Sequence, residues 1–183
     1  KIKKVGIIRY PGSNCDIETF AYFDDLFGNK SSMYIWHNCD DIQILNNIHL
    51  LVLPGGFAFG DRVYDKATGN YTISPGTMAL NSAVTKLIKE AANLSIPILG
   101  ICNGFQILTK MKLLPGELQL NKCKQFVCKK VTCNVNYNDL QTSVKLYIAN
   151  SFGRYVFNKN ENENENENNL EHYCEFLHYD NGE

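Results

Sequence analysis

Short apolar runs alternate with stretches of helical spacing along the first two thirds of the chain. Val5-Gly6-Ile7-Ile8 is the first such run, and its lack of polar interruption is the pattern of a strand covered on both faces; it predicts a strand over 5–10. Pro11-Gly12-Ser13-Asn14 breaks that strand. Ile17, Phe20, Ala21, Phe23 and Leu26 then recur at helical intervals, which predicts a helix over Asp16–Phe27, closed by Gly28-Asn29. Further strands are expected at 33–36, 49–53 and 96–99, with a brief helical piece ending near Leu45 and helices over 78–92 and 103–111. Repeated strand-helix units with fully apolar strands imply an α/β, doubly wound, flavodoxin-like sheet, mostly parallel, with helices on both faces.

After Leu114-Pro115-Gly116 the period changes to two. Residues 126–135 and 144–148 alternate apolar with polar side chains and are rich in β-branched types, as expected of added antiparallel edge strands. Residues 158–169 are almost wholly Asn and Glu. With nothing apolar to bury, this run is expected to be a disordered surface insertion rather than an acidic site.

Composition narrows the function classes. A chain of 183 residues fits one domain. Its net charge of −1, with both signs interspersed, leaves no electrostatic footprint for nucleic acid or an anionic membrane. The first apolar run stops at Arg9, unlike a signal peptide, and no run reaches membrane-spanning length. Seven cysteines, an odd number with no Cys-x-x-Cys pair, fit neither a disulfide framework nor a zinc site. Reduced thiols, no metal and a cytoplasmic setting are the expectation.

One of those thiols has a distinctive setting. Cys102 lies in Gly100-Ile101-Cys102-Asn103-Gly104-Phe105-Gln106, at the junction of the 96–99 strand and the 103–111 helix. Glycines on both sides permit a sharp turn that lifts the side chain above the sheet, the arrangement of a nucleophile elbow. The following helix brings partial positive charge and free N–H groups to the sulfur, which favours thiolate. In a doubly wound sheet, loops at the carboxyl ends of strands line one crevice. Three such loops are Tyr10-Pro11-Gly12-Ser13-Asn14-Cys15, Leu53-Pro54-Gly55-Gly56-Phe57 and the Cys102 elbow. Pro54-Gly55-Gly56 offers backbone N–H groups with no side chain in the way of a ligand, as an oxyanion hole requires, and the Asn103 N–H is the natural second donor.

Taken together, Pro54-Gly55-Gly56 and Gly100-x-Cys102-x-Gly104-x-Gln106 resemble a class I glutamine amidotransferase. More narrowly, Pro11-Gly12-Ser13-Asn14-Cys15-Asp16, Leu53 to Asp61 and Gly100 to Leu108 resemble the glutaminase subunits of phosphoribosylformylglycinamidine synthases, from purine biosynthesis, and Leu114-Pro115-Gly116 with Asn121 and Phe126 continues the likeness. The resemblance implies that Cys102 attacks the glutamine side-chain amide, that N–H groups near Gly55 and Gly56 and of Asn103 hold the oxyanion, and that Gln106 and the Phe57 loop position the substrate. It also implies a partner synthetase, as a separate subunit or fused domain, that receives ammonia and carries ATP and magnesium. No Gly-x-x-x-x-Gly-Lys-Ser/Thr motif occurs in the 183 residues, so no cofactor is expected on this chain.

Three departures accompany the likeness. The histidine and glutamate that serve such enzymes as base and orienter, in a Pro-His-Pro-Glu setting, do not occur within the 183 residues, which implies a longer native chain. His178-x-Asp180 has a similar form but matches a strand of the family better; His172 is expected beside the 158–169 insertion, and His37 and His49 to be structural. Ile148-Ala149-Asn150-Ser151-Phe152-Gly153-Arg154-Tyr155 stands where the family reads Ile-Ala-His-Gly-Glu-Gly-Arg-Tyr, and the stretch from Arg62 to Pro75 is longer than usual, as a lid or docking surface would be. Alternatives to the glutaminase reading are a catalytically silent binding or regulatory relative, and a cysteine hydrolase of the same architecture; in the latter, His commonly follows the cysteine where Asn103 stands here.

Overall fold

In a computed structural model, which describes residues 2–60, 63–64, 71–137, 140–156 and 177–179, the apolar runs form strands where their patterning predicts them. The expectations for residues 158–169, His172 and Asp180, and for half of the 62–75 stretch, lie outside the described residues. In chain order the regular elements are β1 (Val5–Arg9), α1 (Asp16–Phe27), β2 (Ser32–Trp36), β3 (Leu50–Leu53), β4 (Val63–Tyr64), β5 (Tyr71–Ile73), α2 (Val84–Asn93), β6 (Ile98–Gly100), α3 (Asn103–Lys110), β7 (Glu117–Gln119), β8 (Val127–Tyr137), β9 (Leu140–Asn150), β10 (Arg154–Val156) and β11 (Leu177–Tyr179). Chain contacts divide into two compact units, Lys1–Pro115 and Gly116–Glu183.

The first unit is built on a four-stranded parallel sheet in the order β2-β1-β3-β6. Alternate residues of each strand face opposite sides, so one strand serves two cores. Ile8, Leu51 and Leu53 are buried against Val84, Leu87, Ile88 and Ala91 of α2 and Ile107 and Leu108 of α3. Val5, Ile7 and Val52 face the other way, onto Phe23 of α1 with Phe20, Phe27 and Tyr34 packed around it. Helices on both faces of a parallel sheet are the doubly wound arrangement that the sequence pattern predicts. The β1–α1 junction is held by an ion pair between Arg9 and the buried Asp16 carboxylate. The Arg9 guanidinium also lies 4.9 Å from the ring centres of both Tyr34 and Trp36.

The expected helix over 78–92 is broken in two. A short 3-10 turn covers Met78–Asn81, Ser82 is extended at φ −82° and ψ 150°, and α2 begins at Val84. Side-chain hydroxyls compete with the backbone here: Ser82 Oγ donates to the Ala79 carbonyl at 2.5 Å and Thr85 Oγ1 to the same oxygen at 3.1 Å. The freed Val84 N–H donates instead to the His37 carbonyl at 3.0 Å.

In the second unit the antiparallel strands pair among themselves rather than extending the parallel sheet. β8 lies between β9 and β11, and β7 pairs with β10. The period of two in β8 buries Val131, Cys133 and Val135 and turns Lys130 and Asn134 outward. Asn121 organises the β9–β10 turn. Its side chain donates to the carbonyls of Asn150 at 2.9 Å and Gln125 at 3.1 Å, and its side-chain oxygen accepts the Gly153 N–H at 3.0 Å.

Candidate active site

β6 ends at Gly100 and α3 begins at Asn103, leaving Cys102 in the turn between them with its side chain exposed. Its backbone is at φ 51° and ψ −107°, a conformation that L-residues with side chains rarely adopt. The tightness of the turn rests on two glycines. A Cβ on Gly104 would come within 2.0 Å of the Leu53 carbonyl oxygen, and one on Gly100 within 2.8 Å of the Gly104 carbonyl oxygen. Only hydrogen in place of a side chain lets α3 seat its first turn on the end of β3. Main-chain bonds complete the elbow: Gly104 N–H donates to the Ile101 carbonyl at 2.9 Å, and Ile101 N–H to the Leu53 carbonyl at 2.9 Å.

The loop after β3 comes next to this turn. A methyl placed on Gly55 would lie 3.5 Å from Cys102 Cβ, so the loop's first glycine borders Cys102. The loop after β1 supports it from outside. Phe57 N–H donates to the Gly12 carbonyl at 3.0 Å and Phe59 N–H to that of Pro11 at 2.6 Å, while the Gly56 Cα, at φ +133°, packs onto Asn14 so closely that a Cβ would sit 2.7 Å from its nitrogen. From inside, the Ala58 N–H donates to Asn103 Oδ1 at 3.1 Å, and Asn103 Nδ2 donates to Gln106 Oε1 at 3.1 Å. The Phe57 and Ala58 amides are thus engaged in holding the loop. Those of Gly55 and Gly56 donate to no partner among the described residues, and Gly55 borders Cys102.

The residues singled out from the sequence, Cys102, Gly55, Gly56, Phe57, Asn103 and Gln106, are therefore gathered at the carboxyl ends of β3 and β6. Sequence reasoning missed the Asn103 side chain, considered only for its backbone N–H, although it is 2% exposed and joins two of the three loops. An amide side chain immediately after an elbow nucleophile is the signal that could have found it. Among the histidines, His37 packs edge-on against Phe59 at 5.3 Å, beside a depression lined also by Asn38, Met78, Asn81, Ser82 and Ala83. His178 belongs to β11, opposite Asn134 of β8. Among the described residues no group of three His, Cys, Asp or Glu side chains could hold a metal ion, and no helix is long and apolar enough to cross a membrane. The described cysteines Cys15, Cys39, Cys102, Cys123, Cys128 and Cys133 are thiols, not disulfides. An exposed thiol at a helix start, bordered by a glycine of a loop with amides that donate to no partner among the described residues, is a setting suited to covalent acyl chemistry.

Comparison with known proteins places this geometry. A profile of the CobB/CobQ-like glutamine amidotransferase domain matches residues 2–183. The chain is 35% identical over 147 residues to the phosphoribosylformylglycinamidine synthase subunit PurQ of Zymomonas mobilis, an alignment that covers 80% of this chain and spans 60% of that protein's length. The structure of PurLQS from Thermotoga maritima superposes with a TM-score of 0.74 at 29% identity, covering 98% of this chain and 75% of that one. A match over essentially the whole chain settles the family: the chain belongs to the CobB/CobQ-like glutamine amidotransferases.

Proposed function

We propose that this chain is the glutaminase component of a phosphoribosylformylglycinamidine synthase, working in the cytoplasm, with Cys102 as its nucleophile. The Cys102 sulfur attacks the side-chain amide carbon of glutamine, and the carbonyl π electrons move to oxygen. The resulting oxyanion is held by the Gly56 and Asn103 N–H groups, with Gly55 leaving the approach open. The proton given up by the thiol is delivered to the departing nitrogen, and collapse of the tetrahedral intermediate expels ammonia and leaves a γ-glutamyl thioester, which water cleaves to glutamate and the free thiol. Gln106, fixed by its hydrogen bond to Asn103, and the Phe57 loop position the amino acid. The ammonia passes to a synthetase subunit or fused domain, which binds ATP and magnesium and uses the ammonia to convert a formamide oxygen of a ribonucleotide to an amidine nitrogen.

The observation that carries this reading is that Gly55 borders Cys102, in a loop where the Gly55 and Gly56 amides donate to no partner among the described residues while those of Phe57 and Ala58 are engaged. The likeness to PurQ and to PurLQS supports the choice of synthase. The test is covalent labelling with a glutamine-analogue electrophile followed by peptide mapping. Adduct confined to Cys102 and prevented by Cys102→Ala is expected; an unmodified Cys102, or label confined to Cys15 or Cys128, would sink the assignment and favour a silent binding relative.

A further inference from the structure

Gly55 has a second neighbour. A methyl placed on it would lie 3.6 Å from Cys15 Sγ as well as 3.5 Å from Cys102 Cβ. Both cysteines are exposed thiols, and each ends a turn that leads directly into a helix, Cys15 into α1 and Cys102 into α3. The residue that borders both is a glycine, so it interposes no side chain between Cys15 Sγ and Cys102 Cβ. Cys15 is held in place through its backbone, its carbonyl accepting from Thr19 N–H at 3.2 Å and Thr19 Oγ1 at 2.5 Å, while its sulfur makes only a long contact of 3.9 Å to Asn14 Oδ1. The thiol can therefore turn about χ1 without disturbing α1.

We propose that Cys15 and Cys102 form a peroxide-modifiable thiol pair in which Cys15 resolves the oxidised nucleophile as a reversible disulfide. The proposal rests on the reading of Cys102 as a reactive nucleophile. In the first step the Cys102 thiolate attacks hydrogen peroxide: an S–O bond forms, the O–O bond breaks, and water leaves after proton uptake, giving a sulfenic acid. In the second, the Cys15 thiolate attacks the Cys102 sulfur, the S–S bond forms and the sulfenic oxygen leaves as water. Peroxide has taken two electrons and the thiol pair has lost them. A dithiol reductant returns them and restores both thiols. Without a resolving thiol, the sulfenic acid is open to a second peroxide and passes irreversibly to sulfinic acid. Cys15 thus gives the elbow a route back from oxidation.

The experiment treats the full chain with hydrogen peroxide, digests it without reduction and maps the peptides. The expected product is a Cys15–Cys102 linked pair, about 2 mass units lighter than the two thiol peptides together, that dithiothreitol separates with recovery of electrophile labelling at Cys102. In Cys15→Ser and, independently, Cys15→Ala, sulfinic acid at Cys102 should rise about tenfold or more and labelling should not recover. Equal sulfinic acid with and without Cys15, or a cross-link from Cys102 to a different cysteine, would overturn the proposal. The cross-link is read by mass, so the two readings fail separately. A chain that takes the electrophile label yet never links overturns the thiol pair alone; one that links yet takes no glutamine-analogue label at Cys102 overturns the glutaminase reading alone.

Discussion

The side-chain oxygen of Asn103 accepts the Ala58 N–H at 3.1 Å, so the residue that follows the nucleophile also anchors the loop that faces it. Both groups are buried. Asn103→Leu strands the Ala58 N–H, at a cost of about 1–3 kcal/mol. We expect a melting temperature lower by several degrees and a turnover number reduced more than KM changes, because the loop's free amides lose their position against the oxyanion. Asn103→Asp keeps the acceptor and should recover most of the lost turnover. Recovery no better than in the leucine variant would show that the contact does not position the loop.

Gly104 admits no side chain. Its virtual Cβ meets main-chain atoms of Leu53, which cannot rotate away as a flexible side chain could. Gly104→Ala should force α3 off the end of β3 and destabilise the chain by about 1–3 kcal/mol or more, despite alanine's better helix propensity. Chemical denaturation of the two proteins checks this; an alanine variant of equal or greater stability would show that the elbow has room to spare.

Burial pushes the Tyr10 hydroxyl above the ordinary tyrosine range, and the nearby Ser82 hydroxyl only partly offsets it. Tyr10 is 3% exposed and its hydroxyl oxygen has no partner in hydrogen-bonding geometry among the described residues. A tyrosine whose folded pKa exceeds its unfolded one gives full stability below the unfolded value, near pH 10, and loses it as pH climbs from there toward the folded one. The unfolding free energy of the wild type should therefore fall above about pH 10 more steeply than that of Tyr10→Phe. Parallel curves in urea titrations would remove Tyr10 as the cause.

Arg9 combines a planar contact with Tyr34 and Trp36 and an ion pair with the buried Asp16. Lysine keeps the charge but not the flat cation, so Arg9→Lys should cost about 1 kcal/mol and Arg9→Leu, which leaves Asp16 uncompensated, about 3–5 kcal/mol. Thermal melts of both variants test the order; a leucine variant at least as stable as the lysine one would reverse it.

Much of this was legible in the sequence, because the signals were local. Unbroken apolar runs announced the parallel strands and paired glycines the elbow. In α1 the spacing found the helix but only part of its buried face: Phe20 and Phe23 face the core together with Phe27, whereas Ile17, Ala21 and Leu26 are exposed. What depended on distant partners was not. The break at Ser82 arises because side-chain hydroxyls reach the Ala79 carbonyl and His37 offers an acceptor from another loop. The expected crevice brought the Cys15 loop and the Cys102 elbow together, but that Gly55 borders both cysteines depends on strand order, which places β1 and β6 on either side of β3.

The backbone at Cys102 carries a further consequence. A side chain at φ 51° is held against its own preference, typically at about 1–3 kcal/mol, and the exposed thiol recovers little of that by packing. Glycine would sit there at ease. Even after the larger entropy of an unfolded glycine, about 1 kcal/mol, is deducted, Cys102→Gly should match or exceed the wild type's melting temperature while taking no label. A search for the most durable sequence on this backbone would erase cysteine at the elbow, so its presence there answers to the nucleophilic role proposed for it and not to what keeps the chain folded.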